Sequence, residues 1–244
     1  MFKTALCCLL LWLPASVSAD TLKLAVAANF KTTLEMLVKQ FDPQQQHDIV
    51  ISSASTGVLY TQIHQGAPFD IFFAADRARP ERLEAEGLGL ANSRMTYAVG
   101  QLALWQPAGQ PTSLHSLNST RLAIANPKTA PYGLAAQQAL MTTGHWQDMQ
   151  RVQGSNIAQT FQFVHSGNVT QGLVAHAQLR QLDIPANQWV VIDARLYAPI
   201  EQQLIRLQRS ADNQLAEQFI HFMRSADARH LIEHSGYGPA DAAH

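Results

Sequence analysis

The sequence predicts an α/β protein of two lobes. Short apolar runs alternate with segments of helical spacing, a pattern that argues α/β with largely parallel sheets. The alternation comes in two blocks, separated by a long apolar run over residues 97–105. No long Pro, Gly or Ser linker divides the blocks, so strand-like crossovers should join them. The chain has 244 residues, 47% of them hydrophobic and 14% charged, which suits a packed core and excludes disorder as the main state. A formal charge of −1 removes the electrostatic case for a nucleic-acid binder. A mean hydropathy of −0.08 excludes a polytopic membrane protein.

In the first block, residues 21–28 read as a strand. Asn29 then opens a helix with Phe30, Leu34, Leu37, Val38 and Phe41 on one face. A strand at 48–52 leads to a helix opened by Thr56 and Gly57 and carrying Leu59 and Ile63. A strand at 69–74, a charged surface helix at 77–86 and the long strand at 97–105 complete the block. In the second, strands are expected at 121–125, 172–177 and 189–192, and helices at 132–141 and 156–164. An amphipathic strand at 200–207 and helices at 211–223 and 226–234 finish the chain. The expected division is a first lobe of 20–98 with 200–244 and a second lobe of 99–199.

The first nineteen residues read as an export address. Lys3 precedes an apolar run over 5–13 that is too short to span a bilayer. Pro14 ends the run, and Val17 and Ala19 supply small residues for cleavage before Asp20. Both cysteines, Cys7 and Cys8, lie inside this signal peptide, so the remaining chain must be held together by its core rather than by disulfides.

In open α/β sheets, ligands sit beyond the carboxyl ends of the strands. The segments expected there are small, polar or glycine-bearing: Asn29 after the first strand, SASTG at 53–57, NPKTAPYG at 126–133 and GSNI at 154–157. Each precedes a helix. Taken singly, each is what an ordinary N-cap or turn uses. Together they make an anion site that needs no Lys or Arg, because helix starts offer unpaired N–H groups and the positive end of the helix dipole. Such a site suits an anion that stays charged and only accepts hydrogen bonds.

At these same segments the chain resembles the periplasmic molybdate-binding protein family, the substrate-binding components of molybdate ABC importers. The matching stretches are AVAANF at 25–30, STGVLYTQI at 55–63, GAPFDIFFAAD at 66–76, AIANP at 123–127 with NPKTAPYG, NIAQ at 156–159, GLVA at 172–175 and SGYG at 235–238. The resemblance implies a two-lobed periplasmic-binding-protein fold, type II-like, with molybdate or tungstate in the interlobe cleft. Carried over by position, Asn29 and Thr56 bind from the first lobe, with Ser55 in place of Thr56 if the alignment slips by one. Tyr132 and Ile157 bind from the second lobe, Ile157 through its backbone N–H. The family often has Ser where this chain has Asn29 and Thr56, and some members use a Tyr where this chain has Ala175. The resemblance further implies a soluble periplasmic monomer that is not an enzyme, has no cofactor, and delivers its anion to a membrane ABC permease.

Two alternatives stand beside this reading. One is a binding protein for another oxyanion or a small organic anion, for which Lys128 is the one cation within the matched segments. The other is a zinc hydrolase, since His230, Glu233 and His234 fit an H-x-x-E-H pattern on an expected helix. The triplets at 118–120 and 168–170 have the form of glycosylation sites and read as loop polarity. Trp105, Trp146 and Trp189 are expected to pack at strand and helix ends.

Overall fold

The computed structural model describes residues 21–117 and 121–240. The export address at 1–19, with Cys7 and Cys8, and the triplet at 118–120 lie outside the described residues. Two five-stranded sheets form two lobes.

The first sheet contains β1 (Thr21–Ala27), β2 (Asp48–Ala54), β3 (Ile71–Phe73), β4 (Met95–Gly100) and β10 (Ile200–Arg206), in the order β2-β1-β3-β10-β4. The second contains β5 (Leu102–Trp105), β6 (Arg121–Ala125), β7 (Gln150–Gly154), β8 (Gly172–Ala175) and β9 (Trp189–Val191), in the order β7-β6-β8-β5-β9. The helices are α1 (Lys31–Phe41), α2 (Thr56–His64), α3 (Ala78–Ala85), α4 (Pro131–Thr142), α5 (Ile157–His165), α6 (His176–Gln181), α7 (Gln214–Met223) and α8 (Ala226–His234).

Side chains alternate across the strands, so each sheet is buried on both faces. Leu22, Leu24 and Val26 of β1 face α1 and α7 with Phe30, Leu34 and Phe219. Ala25 faces the other way, toward Leu59, Ile63 and Leu83 of α2 and α3. In the second sheet Leu102, Leu104 and Ile124 pack on Tyr132, Ala136 and Leu140 of α4. Trp105 and Val174 pack on Phe161 and Val164 of α5, with Trp105 stacked on Phe161 at 4.6 Å.

Four sequence expectations are corrected. The apolar run 97–105 is two strands in different sheets: β4 pairs with β10, and β5 with β8 and β9. The chain crosses between lobes at Gln101, so the first sheet keeps it through Gly100. The sheets are mixed, not largely parallel, because the crossover strands β10 and β5 run antiparallel to both of their neighbours. The expected strand at 172–177 ends at Ala175, where α6 begins. β10 is not amphipathic: Gln202 and Gln203 are buried, and the register shifts between them. The edge strand β7 was not expected, its sequence QRVQG being polar.

Candidate anion site between the lobes

The parallel pairs β1/β2 and β6/β7 both end at the interlobe face. Their registers close at Ala27 with Ala54 and at Ala125 with Gly154. The next residues start or precede helices α1, α2, α4 and α5. They enclose a small cavity lined by Ala27, Ala28, Asn29, Ser55, Thr56, Ala75, Ala130, Pro131, Tyr132, Asn156 and Ile157. All five expected residues, Asn29, Ser55, Thr56, Tyr132 and Ile157, are among them. The volume open to the centre of a water-sized sphere is about 10 Å³, room for one small body. Among the described residues no Lys, Arg, Asp, Glu or His lines it.

Three groups in this lining have a proton free to donate: Ser55 Oγ, Thr56 Oγ1 and the Ile157 N–H. Ser55 Oγ is buried without a hydrogen-bond partner among the described residues. A buried orphan hydroxyl costs roughly 1–3 kcal/mol, which a ligand oxygen would recover. Thr56 Oγ1 accepts the Ala75 N–H at 3.1 Å, which leaves its own proton free. Asn156 caps α5 by accepting the Gln159 N–H at 2.9 Å. That cap leaves the Ile157 N–H, at the first position of the helix, without a bond among the described residues.

Behind the cavity lies a buried network that the sequence reading missed. Asn29 Nδ2 donates to Gln202 Oε1 at 2.7 Å and lies 3.4 Å from Tyr237 Oη. Tyr237 Oη donates to the Asn29 carbonyl at 2.7 Å. Tyr97 Oη lies 3.1 Å from the Ala74 carbonyl and 3.2 Å from Gln202 Oε1, two acceptors for its one proton. Gln202 Nε2 donates to Tyr132 Oη at 3.4 Å. A bridge between Val99 and Gly238 fixes Tyr237 beside this group. The one signal available in the sequence was the SGYG match near the C-terminus.

Burial pushes the phenols of Tyr97, Tyr132 and Tyr237 above their ordinary value. Unfolded, they would ionise near pH 10. The folded chain therefore holds more protons than the unfolded one above that pH, and stability should fall as pH rises past about 10. Thermal midpoints measured from about pH 7 to about pH 11 check this; a midpoint level through pH 11 would contradict it.

The lobes meet beside the cavity. The Gly57 N–H of α2 donates to the Thr129 carbonyl of the other lobe at 2.8 Å, and Arg79 Nη2 reaches the Lys128 carbonyl at 3.4 Å. A Cβ at Gly57 would stand 3.0 Å from Thr129 Cα and O. Lys128 itself is exposed and does not line the cavity. Ala175 is buried and does not line it either.

Residues 22–238 match the sequence profile of the bacterial extracellular solute-binding proteins. The molybdate-binding protein ModA of Azotobacter vinelandii is 38% identical over 93% of both chains. The chain belongs to the molybdate-binding protein family. ModA of Rhodobacter capsulatus is 33% identical over 94% of this chain and 92% of its own. The solved Azotobacter vinelandii periplasmic molybdate-binding protein superposes with a TM-score of 0.83 at 37% identity, covering 88% of this chain and 98% of that one. The sulfate-binding protein SubI of Mycobacterium tuberculosis, at 12% identity and a TM-score of 0.73 over 92% of this chain and 88% of its own, shares the fold. Members of this family are solute-binding proteins, and the fold places the cavity where two strand ends from each sheet converge.

The histidine motif lies elsewhere. His230 and His234 stack at 5.9 Å on α8 and line a separate groove of about 560 Å³ with α1 and α6. Among the described residues no group of three or more His, Cys, Asp or Glu is placed to hold a metal ion. No described helix is long and apolar enough to cross a membrane.

Proposed function

We propose that this protein captures molybdate, or tungstate, between its lobes and delivers it to a membrane ABC permease. The observation that carries the reading is a cavity lined by no ionisable Lys, Arg, Asp, Glu or His among the described residues, with Ser55 Oγ buried and unpartnered inside it. Ser55, Thr56, Asn29, Tyr132 and the Ile157 N–H are the proposed ligands. A tetrahedral dianion that only accepts hydrogen bonds suits such a lining. Sulfate accepts the same bonds but is smaller. In a cavity fitted to molybdate it leaves some donors unpaired, each costing roughly 1–3 kcal/mol.

The export address at 1–19 sends the chain to the periplasm, where it works as a monomer without catalysis or a cofactor. The proposed division is a first lobe of 20–100 with 200–244 and a second lobe of 101–199. The anion bridges helix starts from both lobes and so favours their closed arrangement, the form a permease would recognise.

Calorimetric titration of the ligand-stripped protein tests the reading. Tight one-to-one binding of molybdate is expected, with little response to sulfate or phosphate. A folded protein that ignores molybdate would refute it. Ser55→Ala and Thr56→Ala should each weaken molybdate binding by about tenfold, one hydrogen bond to a charged group, and Asn29→Ala should weaken it by loosening the bonds to Gln202 and Tyr237 behind the cavity. Unchanged affinity in all three would sink the site assignment.

A further inference from the structure

The histidine pair of α8 has no part in the anion site. His230 and His234 stand one turn apart, a spacing that puts both rings on one face of the helix. The ring centres are 5.9 Å apart and the planes are inclined by 25°. Both residues are exposed. Among the described residues neither ring takes a hydrogen bond or an ion pair, and their one ring contact is with each other. Their nitrogens are open to a ligand.

The surroundings favour a cation. The pair lines the groove of about 560 Å³ between α1, α6 and α8. Asp227, one turn before His230 on the same helix, lines it too, as does Asp183 from the loop after α6. Arg180 is the one Lys or Arg side chain in the lining among the described residues. Two carboxylates against one guanidinium leave the groove net negative while the imidazoles are neutral.

An imidazole nitrogen is a donor suited to zinc, copper and nickel. A metal about 2.0–2.1 Å from one nitrogen of each ring holds the ring centres roughly 5–6 Å apart. The observed spacing already falls there. No third His, Cys, Asp or Glu completes a set among the described residues, so water fills the remaining positions. Hydrolysis does not follow from such a site. Glu233, the acid of the H-x-x-E-H pattern, lies with Arg229 and Pro239 in a neighbouring groove that His234 does not line.

We propose that His230 and His234 form a binding site for a late first-row divalent cation, copper(II) most tightly, separate from the interlobe anion cavity. Copper(II) stands above nickel(II) and zinc(II) in the general affinity order for nitrogen ligands. Both ligands ride on one helix of the first lobe, so the site exists whichever way the lobes stand. It does not rest on the molybdate reading.

Titration of the metal-stripped intact chain with copper(II), followed by calorimetry and by electron paramagnetic resonance, tests this. One tightest site is expected, with a spectrum split by two imidazole nitrogens. His230→Asn and His234→Asn should each weaken that site by at least about tenfold, since losing even an outer-shell partner costs a metal site that much. Nickel(II) and zinc(II) should bind more weakly and be lost in the same variants. Glu233→Gln should bind copper(II) as wild type does. So should His145→Asn, which breaks the other close histidine pair, His115 and His145, with ring centres 5.5 Å apart. Both α8 rings are exposed, so neither α8 substitution should disturb the fold, and an unchanged metal-free thermal midpoint checks that. Wild-type copper affinity in both α8 variants would overturn the proposal, the metal then lying at the amino terminus or at other histidines. A tightest site that disappears in His145→Asn would overturn it as well.

Discussion

Gly57→Val should abolish tight molybdate capture while leaving both lobes folded. Gly57 is the second residue of α2, and its N–H is bonded to the Thr129 carbonyl across the cleft. Even an alanine Cβ there would meet Thr129 Cα and O, and Arg79 Nη2, all at 3.0 Å. Two of these contacts are backbone, which cannot swing aside. The two methyls of Val reach further, and overpacking of this kind costs about 1–3 kcal/mol or more. Here the strain can be escaped by keeping the lobes apart. The cost then falls on closure, and a loss of affinity of about a hundredfold follows. Ligand-free thermal midpoints should stay near wild type. Small-angle scattering should show wild type contracting on molybdate and the variant not. A variant that still contracts and binds would mean that the Gly57–Thr129 contact is incidental to capture.

Phe30→Ala should have the largest effect on stability, about 3–5 kcal/mol. Phe30 is fully buried at the turn between Asn29 and α1. Its ring lies 4.5 Å from that of Tyr97, 5.3 Å from Tyr237 and 6.0 Å from Phe73. Truncation empties the centre of an aromatic cluster drawn from β3, β4 and the C-terminal segment, none of which can collapse without moving its sheet. Two of those rings carry hydroxyls of the network behind the site, so affinity should fall along with stability. Denaturant unfolding checks the first effect and titration the second. A loss under about 1 kcal/mol would show that the cluster relaxes freely.

The parts of the fold that could be read in the sequence are those specified locally. The apolar spacing of Leu34, Leu37 and Phe41 gives α1 without reference to the rest of the chain. The segments that hold the five proposed ligands stand out because small polar residues at strand ends announce helix starts, whatever the sheet around them; the individual residues come from the family resemblance. Other features depend on partners distant in sequence. Nothing in the apolar run from Tyr97 to Trp105 marks Gly100 as the point where the chain changes sheets. What requires a glycine there is Tyr132, thirty-two residues on. Strand β7 is polar because it is an edge. Gln202 reads as a solvent-facing residue, and its burial is set by Asn29, Tyr97 and Tyr132, which the sequence keeps far apart. The choice between Ser55 and Thr56 was also beyond the sequence. In the structure both line the cavity, and only Ser55 lacks a partner.

The place of β10 between β3 and β4 bears on the order of assembly. The strands of the second sheet all lie within 102–191, so that lobe is complete once this stretch has been made. The first sheet begins earlier in the chain but cannot close until residues 200–206 arrive to join β3 to β4. During synthesis the amino-terminal third therefore stays without the strand that joins β3 to β4 while the middle of the chain can already fold. The half of the molecule made first is finished last, and the anion site, which needs both halves, exists only when nearly the whole chain is present.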